Sequence, residues 1–319
     1  MNRRALIGLG LGGALAAAGG VATWRAFDGD LRRARERVQG RSAIAASRFG
    51  PVEYAVAGEG PPLLMIHGSG GGFDQGLAFA RRLVEAGHQV IAPSRFGYLR
   101  SAFPGEPSSE KQADAFADLL DALGLDRVPV IGGSAGALSA IAFALRHPDR
   151  CAALVPIVPA AYAPDQPIHA PPSPFARAIF EHALRSDFLF WLGLVTAKRE
   201  LIKTVLATDP ALVDAASAEE KARVDEILRS ILPVSARANG LLNDARLATD
   251  PAPMPIEQIR APTLTISLED DLYGTFAAAR HIAATVPEAR LISYPTGGHV
   301  WVGHDAEMFA DIDAFLGAL

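Results

Sequence analysis

Ser134 stands inside the run VIGGSAGA, residues 130 to 137, where glycines flank a single hydroxyl and a helix-forming stretch follows. Far downstream come LEDD at 268–271 and TGGHVW at 296–301. A serine hydroxyl is a poor nucleophile until an imidazole takes its proton, and that imidazole needs a carboxylate to hold its tautomer and stabilise its cation. Ser134, an acid and then His299, each following an apolar β-type run, are the parts of such a relay in a workable order. Which of the adjacent carboxylates Asp270 and Asp271 serves His299 stays open at this point.

These groups must be held by rigid elements, and the patterning supplies them. VEYAVAGEG reads as a strand ending in a glycine turn, and PPLLMIHG as a fully buried strand that stops at His67. AFARRLVEAG is an amphipathic helix ended by Gly87, and HQVIAPS another buried strand. KQADAFADLLDALGL is a helix, RVPVIGG a strand, LSAIAFALRHP a helix and AALVPIV a strand. PTLTIS and ARLISYP read as the last two strands. The alternation predicts an α/β fold: a doubly wound, mostly parallel sheet covered on both faces, with function at the carboxyl ends of its strands. Ser134 then sits where a buried strand turns at once into a helix, in the pattern G-x-S-x-G. The glycines let strand and helix approach, and amides at the helix N-terminus face any negative charge that develops beside the hydroxyl.

With HGSGGG after one strand, GGSAG at the turn, LEDD before the acid position and GGH at the histidine, the chain from about Val52 to Leu319 resembles an α/β-hydrolase-fold serine hydrolase. The resemblance implies Ser134 as nucleophile, Asp271 as acid, His299 as base, and an oxyanion hole made by the backbone amides of Ser69 and Ala135. It favours Asp271 over Asp270 because the acid lies at the last position of such a turn. It also implies that His67 is a structural residue of the oxyanion loop. One departure is visible: in PSRFGYLRS, Ser94 occupies a position where many relatives carry Asp, in a loop that shapes the active-site entrance.

Composition narrows the partners. A 319-residue chain, half of it hydrophobic, can bury a large core, and a net charge of −5 offers no basic footprint for nucleic acid. A small-molecule substrate fits better. The single cysteine, Cys151, opens an apolar strand and reads as an inert buried thiol. His169 and His182 lack metal-ligand spacing, and neither a metal nor a cofactor is expected. His304 reads as a polar group near a helix start. Trp301 reads equally as pocket lining or as core.

Residues 1–40 read as a segment apart from the fold. Arg3-Arg4 followed by a Gly/Ala-rich apolar run to about Val21 resembles a twin-arginine export signal, with small residues at Ala16 to Ala18 that suit cleavage. An uncleaved membrane anchor is the first alternative and a plain N-terminal helix the second. Arg25, Arg32, Arg33, Arg35 and Arg37 follow the apolar run and oppose insertion with the C-terminus outside, which keeps a cytoplasmic enzyme in play. The expected location is periplasmic or membrane-anchored, with a reversed anchor that leaves the enzyme in the cytoplasm as the remaining case.

Residues 41–159 and 251–319 form the expected core, and 160–250 a helical cap, because the strand rhythm stops there. SPFARAIFEHALRSDFLFWLGLVTAKRELIKTVL and AEEKARVDEILRSIL are helical, and Phe175, Phe180, Phe188, Phe190 and Trp191 read mainly as cap core. The expected activity is cleavage of a carboxylic ester or lactone. An amide or peptide hydrolase of the iminopeptidase kind is the alternative, with Glu181 or Glu200 to bind an amine, and a non-catalytic ligand receptor is a third reading.

Overall fold

The computed structural model describes residues 3–164 and 181–319, with only the helical backbone described for residues 3–18. Phe175, Phe180 and His169 lie outside the described residues. An eight-stranded sheet runs through the core: β1 Ala43–Ser47, β2 Gly50–Ala57, β3 Pro62–Ile66, β4 Gln89–Pro93, β5 Val128–Gly133, β6 Cys151–Ile157, β7 Leu264–Leu268 and β8 Arg290–Tyr294. Their spatial order is β1-β2-β4-β3-β5-β6-β7-β8. β2 pairs antiparallel with both β1 and β4, and every pair from β4 to β8 is parallel. The central strands are apolar along their whole length because both faces are covered; Leu63 to Ile66 are fully buried.

The topology decides where chemistry can happen. From β3 the chain moves to β4 on one side and then crosses to β5 on the other, so the loops after β3 and β5 open from adjacent strands, with Ile66 opposite Gly132. β7 and β8 lie together at the other end, with Leu268 opposite Tyr294, so the loops carrying LEDD and GGH leave side by side.

The helices that cover the sheet are α2 Phe73–Phe79, α3 Arg81–Glu85, α4 Ser109–Ala122, α5 Gly136–Arg146, α11 Thr275–Thr285 and α12 Asp305–Gly317. The single helix expected over AFARRLVEAG is two short ones, divided at Ala80. Between the core segments lie α6 Asp187–Thr196, α7 Lys198–Thr204, α8 Pro210–Ala215, α9 Ala218–Ser230 and α10 Ala238–Thr249, with no strand among the described residues of this insertion. Ser186, Asp209 and Ser217 cap three of these helices with their side-chain oxygens.

The N-terminal boundary departs from the sequence reading, which set all of residues 1–40 outside the fold. Helix α1 spans Arg3–Val38, and its second half is docked. Phe27, Leu31 and Ala34, spaced on one helical face, are buried in a cluster with Trp191, Leu194, Ile227 and Leu228 of the cap. Asp30 accepts the Trp191 indole N–H at 2.7 Å, and Arg37 donates to the carbonyls of Ser230 and Leu232 and pairs with Asp74 on α2. The apolar stripe overrides the arginines around it, which simply point away or find carboxylates. Among the described residues, no helix is long and apolar enough to cross a membrane.

Phe27→Ala in the full-length chain is expected to cost about 3 kcal/mol, the low end for a buried Phe, through the cavity it leaves. Thermal or denaturant unfolding checks this; an unchanged midpoint would mean that α1 does not pack on the cap.

Candidate active site

The turn after β5 answers why a lone hydroxyl is set among glycines. A Cβ on Gly136 would lie 2.5 Å from the carbonyl oxygen of His67 and 2.7 Å from that of Ile66, and one on Gly132 would lie 2.7 Å from the Ala140 side chain. Only glycine permits the helix to start this close to β3. Ser134 between them has a left-handed backbone with φ of 51°, a strained conformation for a residue with a side chain. Its own N–H donates to the Ile157 carbonyl at 2.8 Å, which fixes the turn to β6.

The loops after β7 and β8 meet the serine. His299 Nε2 lies 2.9 Å from Ser134 Oγ, and His299 Nδ1 lies 2.8 Å from Asp271 Oδ2. An ionised carboxylate only accepts, so Nδ1 carries the proton and Nε2 is left to accept from the serine hydroxyl. Asp271 also accepts from the Tyr273 N–H at 2.9 Å and from the Thr275 hydroxyl. Burial pushes the Asp271 carboxyl up, but the His299 ring, helped by these donors, outweighs it and holds the carboxyl below its ordinary value. The edge of Tyr273 packs against the imidazole, with ring centroids 4.9 Å apart.

Asp270 has a different task. Its two oxygens accept the N–H groups of Gly297 and Gly298 at 3.1 and 2.8 Å, and so pin the loop that carries His299. Both glycines have positive φ, a shape that costs them little. The adjacent acids therefore divide the work, one holding the ring and the other its backbone.

The loop after β3 approaches from the opposite side. Gly68 backs onto Ser134, where an added Cβ would lie 3.2 Å from the serine Cβ. The amides of Gly68, Gly70 and Gly71 have acceptors in Gln75 Oε1, the Tyr98 hydroxyl and the Gly68 carbonyl. The amides of Ser69 and Ala135 have no acceptor among the described residues. One of these donors follows Ser134 directly and the other follows Gly68, which backs onto the serine; unpartnered amides of this kind are suited to receive a developing anion.

His67 is a brace. It is fully buried, its Nδ1 donates to the Gly68 carbonyl at 2.7 Å, and its Nε2 accepts the Arg95 N–H at 2.9 Å. Burial, followed by the charge of Arg95, lowers its pKa well below the ordinary imidazole value and keeps it neutral. Ser94, the departure noted above, is fully buried as well. It accepts the Phe73 N–H and donates to Glu53 on β2, a buried carboxylate that also takes Arg100 and Ser42.

Other candidate residues settle outside the relay. Trp301 is core, packed on Phe79 and Phe309, with its N–H on Asp305. His304 begins α12 and stacks on Tyr294. His182 and Glu200 are exposed, and Glu181 is half-buried. Phe188, Phe190 and Trp191 belong to the cap cluster with α1. The Cys151 thiol is fully buried, and burial pushes it up to about 12, which leaves it inert. Among the described residues, no group of three or more His, Cys, Asp or Glu side chains is arranged to hold a metal ion.

Comparison with known proteins agrees with this geometry at the level of family. The family model described as alpha/beta hydrolase fold matches residues 61–302. The chain belongs to that family and is a hydrolase. A curated relative, the 2-hydroxy-6-oxononadienedioate/2-hydroxy-6-oxononatrienedioate hydrolase of Paraburkholderia xenovorans, is 28% identical over 264 residues, covering 81% of this chain and 87% of that one. An uncharacterized hydrolase of Bacillus subtilis, YcgS, is 37% identical over 101 residues, about a third of either chain at 32% and 35%. Among solved structures, an alpha/beta hydrolase fold protein from Nakamurella multipartita is similar at a TM-score of 0.66 and 28% identity, covering 85% of this chain and 97% of that one.

The division of labour between the two acids is testable. Asp271→Asn should lower hydrolytic turnover by up to about four orders of magnitude, the size expected when the imidazole loses its tautomer control. Asp270→Asn, which retains an acceptor for a glycine amide, should cost far less. Turnover of both variants, with circular dichroism to verify folding, checks the ranking; the reverse order would contradict it.

Proposed function

We propose that this protein is a serine hydrolase that cleaves a carboxylic ester or lactone through an acyl-enzyme intermediate. Ser134 attacks the carbonyl carbon while His299 Nε2 removes the hydroxyl proton, and the Asp271 carboxylate stabilises the imidazolium that results. The amides of Ser69 and Ala135 receive the oxyanion. His299 then returns the proton to the leaving alkoxide, draws a proton from water, and the resulting hydroxide releases the acid. The observation that carries this reading is the continuous Asp271–His299–Ser134 hydrogen-bonded line, flanked by two amides without acceptors.

The Paraburkholderia relative's printed name, a dienedioate hydrolase, favours a second reading in which the substrate bears carboxylates. Against it, the two buried guanidinium groups around the loop after β3 are already committed, Arg95 to Asp244 and Arg237 to Asp74. A neutral carbonyl substrate fits that balance better than a dianion does.

For localisation we propose that Arg3 and Arg4 direct export to the periplasm, with membrane association through the N-terminal segment as the alternative.

Two experiments test these readings. Nitrophenyl esters of short acyl chains should be cleaved in preference to the matching amides and to oxo-dienoates, and Ser134→Ala should lose about three orders of magnitude or more. Full activity in that variant would remove Ser134 from the chemistry. Replacing Arg3 and Arg4 with Lys in the native host should hold the protein in the cytoplasm, since the pathway reads guanidinium groups. An unchanged distribution would favour the anchor.

A further inference from the structure

Asp244 lies on α10, in the cap insertion, yet its carboxylate is buried beneath the loop after β3. Oδ2 accepts from the Ser69 hydroxyl at 2.9 Å, from an Arg95 Nη2 at 2.5 Å and from the Tyr98 hydroxyl at 2.5 Å, while Oδ1 accepts from Arg95 Nη1 at 2.7 Å. Two of these donors touch the loop themselves. Arg95 Nη2 also donates to the Gly68 carbonyl at 3.0 Å, and the Tyr98 hydroxyl accepts the Gly70 N–H at 3.2 Å. Three consecutive loop residues, 68, 69 and 70, are therefore tied to one carboxylate, either directly or through a single side chain.

A buried ion pair is a costly way to gain stability, because removing both charges from water offsets most of their attraction. What such a cluster does supply is a fixed orientation. Its middle member is Ser69, whose amide has no acceptor among the described residues, so the braces converge on one of the two peptide groups that the chemistry needs held still. Burial, with the neighbouring Asp244 charge, raises the Tyr98 phenol well above its ordinary value, so it remains a donor to Asp244 across the working range of pH.

We propose that Asp244 is a positioning residue: from the cap it orients the Ser69 amide toward the oxyanion, so that seating of α10 on the core and assembly of the oxyanion hole are one event. This deepens the serine-hydrolase reading and rests on it. The cap then does more than cover the substrate, since its last helix carries the anchor for half of the oxyanion site.

Ser69→Ala tests the coupling because it keeps the backbone amide and removes only the tie to Asp244. We expect kcat to fall by about tenfold or more, the scale of a lost hydrogen bond to a charged group, with KM within about twofold. Affinity for phenylboronic acid, whose serine adduct is a tetrahedral anion, should fall in parallel while the melting temperature drops by only about a few degrees. Ser69→Thr keeps a hydroxyl and should restore both readouts. A second variant, Asp244→Asn, combined with Ser69→Ala, should cost less than the two losses multiplied, because the Ser69–Asp244 bond is common to both. A folded Ser69→Ala protein with wild-type kcat and boronate affinity would overturn the proposal, as would a Ser69→Thr protein as impaired as Ser69→Ala. Failure of the underlying reading looks different: the wild-type protein itself would neither hydrolyse esters nor bind the boronate.

Discussion

The close approach of two peptide segments governs this structure: the start of α5 lies against the carbonyls of Ile66 and His67, at a distance that only glycine at position 136 allows. If the helix stood one methyl group further off, the turn after β5 would relax and Ser134 would lose the reason for its left-handed backbone. The same contact places the loop after β3 next to the serine, so the amides of Ser69 and Ala135 come from different elements and still share one neighbourhood. The parallel pairing of β3 with β5 makes it possible, and the burial of nearly every residue of both strands keeps it rigid.

The remaining groups are brought to that point by the far end of the sheet and by the cap. β7 and β8 deliver Asp271 and His299 side by side, and Asp270 ties the histidine loop back to the turn before it. The cap grips the same loop through α9: Arg223 donates to the Val300 carbonyl at 2.7 Å and stacks over Trp301, and Glu220 accepts the Gly303 N–H. On the opposite side Arg237, fully buried, reaches the Gly71 carbonyl and pairs with Asp74, which in turn pairs with Arg37 at the end of α1. The N-terminal helix, the cap and the loop after β3 thus belong to one polar network.

How much of this was legible in the sequence depended on whether the signal was local. The buried strands and the elbow were readable, because apolar runs and G-x-S-x-G are consequences of chain-local physics. β1 was not, since AIAAS has weak strand propensity and exists as an edge strand only through its hairpin with β2. The docked half of α1 was written in the spacing of Phe27, Leu31 and Ala34, but the arginines between them masked a stripe whose partner lies in the cap. Asp270 and Asp271 could be named as a pair, whereas their separate tasks follow from which way each points after the turn. Asp244 offered no signal at all. An isolated acid in a helical stretch acquires meaning only once folding sets it beneath a loop some 175 residues away in sequence.

If the Asp271–His299–Ser134 line works as proposed, Ser134 carries a covalent acyl group during turnover. Incubation with a short-chain nitrophenyl ester, acid quench within the first turnovers and mass spectrometry of the digested chain tests it directly. A single acyl group per chain is expected, located on the peptide containing Ser134 and lost on further incubation before the quench. Ester turnover with the acyl group on another residue would contradict it.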